Sequence, residues 1–170
     1  MTAWKLFAVS SLVAIGVAVT ANAQSFPAEG PLSVTFTGTQ VGPMKPMPIG
    51  DGKEFTLIDW AMTASNDAGN PILHKMGGRC AFTRTTDTST KKFEQHGYCT
   101  YADNEGDQIF EQCDSAVGGP TKCKLTGGTG KFNGLQAEMD ITAAPLKSNY
   151  DGIAQLMGQK KGAYKIVKTN

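Results

Sequence analysis

Along most of the chain apolar and polar residues alternate one for one, the period of a half-buried β-strand and not of a helix. Leu32, Val34 and Phe36 alternate with Ser33, Thr35 and Thr37, and the run from Leu135 to Ile141 is apolar at every second position. Lys53 to Thr63 also reads as a strand but is apolar on both sides: Phe55, Leu57 and Ala61 fall on one face, Ile58, Trp60 and Met62 on the other. Such a strand should be covered twice, by the N-terminal arm, a loop or a partner subunit. Further strands are predicted over about 73–85, 92–102, 108–113, 121–125 and 163–168, separated by turn-forming clusters such as Asn66–Pro71, Asp103–Asp107 and Ser115–Pro120. The stretch from Gly42 to Pro48 holds Pro43, Pro46 and Pro48, which remove backbone donors, so it is expected to be a loop lying over one end of the fold. Residues 143–162 are loosely patterned and read as a long connection with a helical turn around Ile153–Met157.

This gives eight strands, the number that closes a small antiparallel barrel, lipocalin-like in general shape, whose interior holds side chains or one small ligand. The expected class is therefore all-β. Phe36, Phe55, Leu57, Phe82, Tyr101, Leu125, Met139 and Ile141 are expected to point inward. Of these, Phe36, Phe55, Leu57, Phe82, Tyr101 and Met139 are the candidate ligand contacts.

Between the strands that end at Leu125 and begin at Leu135 lie Gly127, Gly128, Gly130 and Gly134, where the backbone must turn sharply or be approached closely. Such a segment bends a sheet around a barrel corner. It is not a P-loop, because Leu125 and Phe132 stand where that motif needs a glycine and a Ser or Thr. Nor is it a dinucleotide fingerprint: the spacing of Gly128, Gly130 and Gly134 is one residue too long, and the residues after Gly134 have strand periodicity.

Gly127-Gly128-Thr129-Gly130-Lys131-Phe132 followed by a strand resembles the signature near the end of dirigent proteins. It is also similar to the glycine-rich segment of allene oxide cyclases and of bacterial secreted proteins grouped with that barrel. The resemblance is specific over about ten residues and diffuse from Gly77 to Ile166. It implies an eight-stranded antiparallel β-barrel of the allene oxide cyclase-like type. The acidic and polar groups inside the plant enzymes' barrels have no match in the first two strands here, so no catalytic residue is carried over.

Residues 1–23 read as a secretory signal peptide: Lys5, an apolar run from Leu6 to Val19, and Ala21-Asn22-Ala23 before a cleavage point at Gln24. The run is too short to span a bilayer. The destination is the periplasm or the medium, and residues 24–170 are expected to form a single β-barrel domain. Removing 23 of the 170 residues leaves 147 and takes away only one charge, so 15 Lys and Arg face 15 Asp and Glu. That balance argues against nucleic acid or an anionic membrane as partner. A small apolar ligand and a second copy of the chain remain as partners to consider.

Four cysteines in an exported chain are most simply two disulfides. Cys80 and Cys99 lie nearly equidistant from one turn, Cys113 and Cys123 from the next, so each pair is expected to face across a hairpin. A zinc site finds no C-x-x-C. The carboxylates of Asp103, Glu105 and Asp107 surround a glycine and could hold Ca²⁺, but the calcium-loop spacing is absent and a solvated turn is the better reading. His74 and Met76 with Met44 and Met47 could make a thioether-rich Cu(I) site, against the usual use of Met as core filler. No metal or cofactor is therefore expected.

Asp59 is the weak catalytic candidate: on the Phe55 and Leu57 face it would be a partly buried acid with a raised pKa if that face is interior. A one-residue change of register would turn it to solvent. No nucleophile elbow or Ser/His/Asp set occurs. The expectation is an exported, non-catalytic barrel that binds a small apolar ligand or a partner surface. The alternatives are a cyclase or isomerase, as the resemblance implies, and a purely structural barrel.

Overall fold

The computed structural model describes residues 26–148 and 151–167. The signal-peptide reading and the cleavage point fall outside them. The described chain runs β1 (Glu29–Gln40), β2 (Met47–Gly50), β3 (Lys53–Asn66), β4 (Met76–Asp87), β5 (Phe93–Ala102), β6 (Gln108–Ser115), β7 (Thr121–Gly128), a 3₁₀ turn at Gly130–Phe132, β8 (Leu135–Leu146) and β9 (Gln155–Ile166). Every pairing is antiparallel. The order β1-β9-β8-β7-β6-β5-β4-β3 closes through β1–β3 into an eight-stranded barrel, with β2 added at the edge of β3. Closure leaves no long unpaired edge in the barrel wall, and β2, with Pro48 in it, is a strand short enough for the edge it occupies.

Both disulfides form as the spacing predicts, Cys80–Cys99 across β4–β5 and Cys113–Cys123 across β6–β7. They mark a chain that folds in an oxidising environment. No helix among the described residues is long and apolar enough to cross a membrane.

Three expectations are corrected. Residues 143–162 contain no helical turn among the described residues: β8 runs on to Leu146 and β9 starts at Gln155. The strand expected from Leu73 begins at Met76, because Leu73 and Lys75 take left-handed backbone in a turn. On β3 the inner face is the Ile58, Trp60 and Met62 face, so Leu57 is 69% exposed and Phe55 lies on the outer side, half-buried beside Met47. Alternation could not choose between two apolar faces. The Pro-rich loop runs beside β3, where the Val41 amide donates to the Asp59 carbonyl, and brings Met44 to the rim of one end of the barrel.

The glycine-rich segment ends β7 with a bulge in which Thr126 is the extra residue opposite Phe110 and Glu111. It then turns through the 3₁₀ segment and drops Phe132, fully buried, into one end of the barrel. Gly130 is required there twice over: its φ is +51°, and a Cβ would lie 1.9 Å from the Asp107 carboxylate. Ile72, Leu73, Met76, Ile109, Leu125 and Leu135 complete this closed end, each sealed from solvent.

Candidate functional site

Large inward side chains on this barrel face glycines on the neighbouring strand. Register pairs Phe36 with Gly158, Met62 with Gly38, Phe82 with Gly97, Tyr101 with Gly78 and Met139 with Gly162. The glycine frees the space over which the ring lies: a Cβ at residue 97 would meet Phe82 at 2.2 Å, and one at residue 158 would meet Phe36 at 2.6 Å. Alternating large and small inward residues is how a small barrel fills its tapering interior. With their rings laid against the wall, the aromatic residues of the second half leave a cavity of about 730 Å³.

Phe36, Trp60, Met62, Phe82 and Ile141 form its apolar walls, together with the Cys80–Cys99 disulfide. The rim at Met44, Ala143, Ala144 and Pro145 is exposed, so the cavity opens at the end opposite Phe132. At the boundary with the closed half sits a charged cluster. Lys160 of β9 is 2% exposed and Glu111 of β6 is 1% exposed. The ammonium lies 2.6 and 2.5 Å from the two Glu111 oxygens and donates to the Tyr101 hydroxyl at 3.1 Å. All three of its protons thereby have acceptors. It also stands 5.2 Å from the Phe36 ring centroid and 5.0 Å from that of Tyr101.

Burial pulls the Lys160 ammonium down, but the attraction of Glu111 and Tyr101 outweighs it and the net direction is up. Burial pushes the Tyr101 phenol up to about 12, against the opposing pull of Lys160. Both groups therefore stay protonated over the physiological range, and the cluster carries no net charge. Near the rim, Arg84 donates through Nε and Nη2 to the Gln95 amide oxygen at 3.1 and 2.8 Å, and its guanidinium lies 4.3 Å over the Phe93 ring.

Of the sequence-predicted contacts, Phe36, Phe82 and Tyr101 border this cavity. Met139 faces inward but is packed in the closed half, next to Gly162. Phe55 and Leu57 are on the outside. Asp59 is outside as well: it pairs with Arg79, 2.9 Å from Nε and closer still to Nη2, on the outer face. The hydrogen bonds from Arg79 hold its carboxyl below the usual range, overriding a smaller effect of burial, so the raised pKa expected of an interior acid is corrected. The copper candidates are not assembled, since His74 and Met76 belong to the closed end while Met44 and Met47 are exposed near the rim. The Asp103, Glu105 and Asp107 turn encloses not solvent but the Lys131 ammonium, at 2.5, 2.6 and 3.8 Å. Cys99, Glu111 and Cys113 also converge, but both cysteines are in disulfides and Glu111 is engaged by Lys160.

Sequence reasoning missed Lys160, Glu111 and Arg84. A signal existed for Glu111: it lies two residues from Cys113, and a cysteine bridging a barrel hairpin on the inner face carries its i−2 neighbour inward.

A scan of protein-family models finds no match to this chain, and no curated protein sequence matches it. Among solved structures, a pterocarpan synthase dirigent protein superposes with a TM-score of 0.51 at 13% identity, covering 84% of this chain and 94% of that one. Ail, the attachment invasion locus protein of Yersinia pestis, aligns at a TM-score of 0.14 and 9% identity over 80% of this chain and 97% of the other, too poor a superposition to carry weight. The chain thus has a barrel fold similar to that of a dirigent protein.

Proposed function

We propose that this is an exported, non-catalytic barrel that binds one small, largely apolar molecule in its open half. The carrying observation is the cavity of about 730 Å³, of the size expected of a small-molecule site, with aromatic walls and a neutral Lys160–Glu111–Tyr101 floor in which every ammonium proton has an acceptor. Such a floor offers little to a reacting centre. Lys160 has no free proton or lone pair, and a phenol held near 12 is a weak proton source at neutral pH. It remains a hydrogen-bond donor, so the ligand is expected to turn one acceptor atom toward Tyr101. The signal-peptide pattern and the two disulfides support export, to the periplasm or the medium. The Gly127–Phe132 segment supports grouping the chain with the bacterial secreted barrels of the allene oxide cyclase type.

The second reading is a cyclase or isomerase. It is favoured by one observation, the similarity in fold to a dirigent protein described as a pterocarpan synthase. Trp60 lines the cavity and is the sole tryptophan after residue 23, so its emission separates the readings. A binder shows saturable quenching by compact apolar ligands with no product formed, and Tyr101→Phe weakens acceptor-bearing ligands selectively. Conversion of an epoxide or quinone-methide-like substrate, abolished in a folded Tyr101→Phe variant, would establish the enzyme. If a broad panel produces neither quenching nor a shift in Tm, the interior is a structural void and the binding proposal fails.

A further inference from the structure

We propose that the ligand is an organic anion with a compact, ring-bearing body, and that Arg84 is the group that selects it. This rests on the reading of the open half as a ligand site. Three charged side chains line the cavity: Glu111, Lys160 and Arg84. The first two neutralise one another at 2.5 Å, which leaves the cavity with the single positive charge of Arg84. No carboxylate among the described residues pairs with it. Glu54, the acid one inward position nearer the rim on β3, sits opposite Thr86 and makes no ion pair with the guanidinium.

The guanidinium is nonetheless held in place. The face of Phe93 packs on it, and Gln95 accepts from two of its five N–H groups. The remaining donors lie at the Nη end, where two of them can meet both oxygens of one carboxylate. Burial draws Arg84 below its ordinary value, and the attraction of an anionic ligand would offset that desolvation.

Length decides the rest of the ligand. Arg84 stands at the rim, and the Tyr101 hydroxyl of the floor lies 3.8 Å from Cys80 Sγ. The depth is therefore about that from Arg84 to Cys80, four residues along β4, roughly 13 Å along a strand. The width comes from the flattened rings of Phe36, Trp60 and Phe82. A fused-ring body fits that short, wide space, whereas an extended long acyl chain must fold back on itself.

Isothermal titration calorimetry with 2-naphthoate, 2-naphthalenemethanol and palmitate at neutral pH tests this on the mature protein. Naphthoate should bind roughly tenfold or more tightly than the alcohol, the ratio expected of a charge-assisted hydrogen-bond pair. Arg84→Gln should bring that ratio to about one. Arg84→Lys, which keeps the charge but loses the fork, should restore only part of it, and circular dichroism checks that both variants fold. Palmitate should bind more weakly than naphthoate. If the alcohol binds as tightly as naphthoate, or if Arg84→Gln leaves the ratio intact, anion selection by Arg84 is wrong while the cavity still binds. Tighter binding of palmitate overturns the compact body. If no compound binds, this inference and the proposed function fall together.

Discussion

In the closed half of the barrel the inward positions of β6, β7 and β8 carry Ile109, Leu125 and Leu135, all sealed from solvent, and Phe132 is driven into the centre by the glycine-rich turn. In the open half the same three strands present Cys113, Thr121 and Ala143, and no described side chain plays the part of Phe132. Strand number and closure are common to both halves, so they do not decide whether a barrel interior is solid or hollow. Side-chain volume at the inward positions and the nature of the end loops decide it. Between the halves the Lys160–Glu111 pair forms a polar partition, which costs desolvation and is bearable only because every proton of the ammonium is matched.

The partition is where the comparison breaks most sharply. Lys160→Met leaves the Glu111 carboxylate buried and unpaired, and should destabilise the fold by about 3–5 kcal/mol. The double variant Lys160→Met with Glu111→Leu removes both charges and should recover most of that loss in denaturant unfolding. A double variant as unstable as the single one would mean that the pair itself, and not its imbalance, sustains the barrel. Phe132→Ala should cost a similar amount, about 3–5 kcal/mol, since it empties a packed end. Phe82→Ala only enlarges an existing cavity and should cost visibly less. Equal losses would erase the distinction between the two ends.

A smaller effect is expected where glycine makes the cavity. Gly97→Ala places a methyl against the Phe82 ring at 2.2 Å and the Ala81 carbonyl at 2.5 Å. The ring must swing into the open space and the Ala81 backbone must give way as well, at about 1–3 kcal/mol or more, with a measurable fall in affinity for any ligand bound there. Unchanged stability together with unchanged binding would show that Phe82 does not shape the site.

The closed architecture was legible in the sequence and the site was not, for identifiable reasons. Alternation and turn clusters predict eight strands because a half-buried sheet imposes period two. The two disulfides could be paired because residues equidistant from a turn meet across a hairpin. Phe55 and Leu57 went astray because β3 is apolar on both faces. Lys160 was hidden because Gln159-Lys160-Lys161 reads as a solvated run. Only the alternation Leu156, Gly158, Lys160, Gly162, Tyr164, with glycines at two inward positions, marks it as interior. A partner for that charge, on a strand some fifty residues earlier, cannot be read before register is known.

The smallest expected effect lies outside the barrel, where Lys131 fastens the glycine-rich turn to the Asp103–Asp107 hairpin and so helps hold Phe132 in place. Burial pushes the Asp103 carboxyl up, but the Lys131 ammonium and the amides of Glu105 and Asp107 more than reverse this and leave it below its ordinary value. Asp103 and Glu105 raise Lys131 above its own. A lowered acid contributes stability fully above its unfolded pKa, near 4, and loses it as pH falls through the folded value. A raised lysine contributes fully below about 10.4 and loses it as pH rises through the folded value. The fastening is therefore at full strength between about pH 5 and 10. Lys131→Met should lower stability there by on the order of 1 kcal/mol, because Glu105 is open to solvent and Asp107 partly so, while Asp103 keeps the amides of Glu105 and Asp107 as donors. Melting curves of the two proteins, recorded across pH, should converge toward both extremes. A gap that stays constant from acid to alkali would mean that Lys131 acts through its methylenes packed by Phe132, and not through its charge.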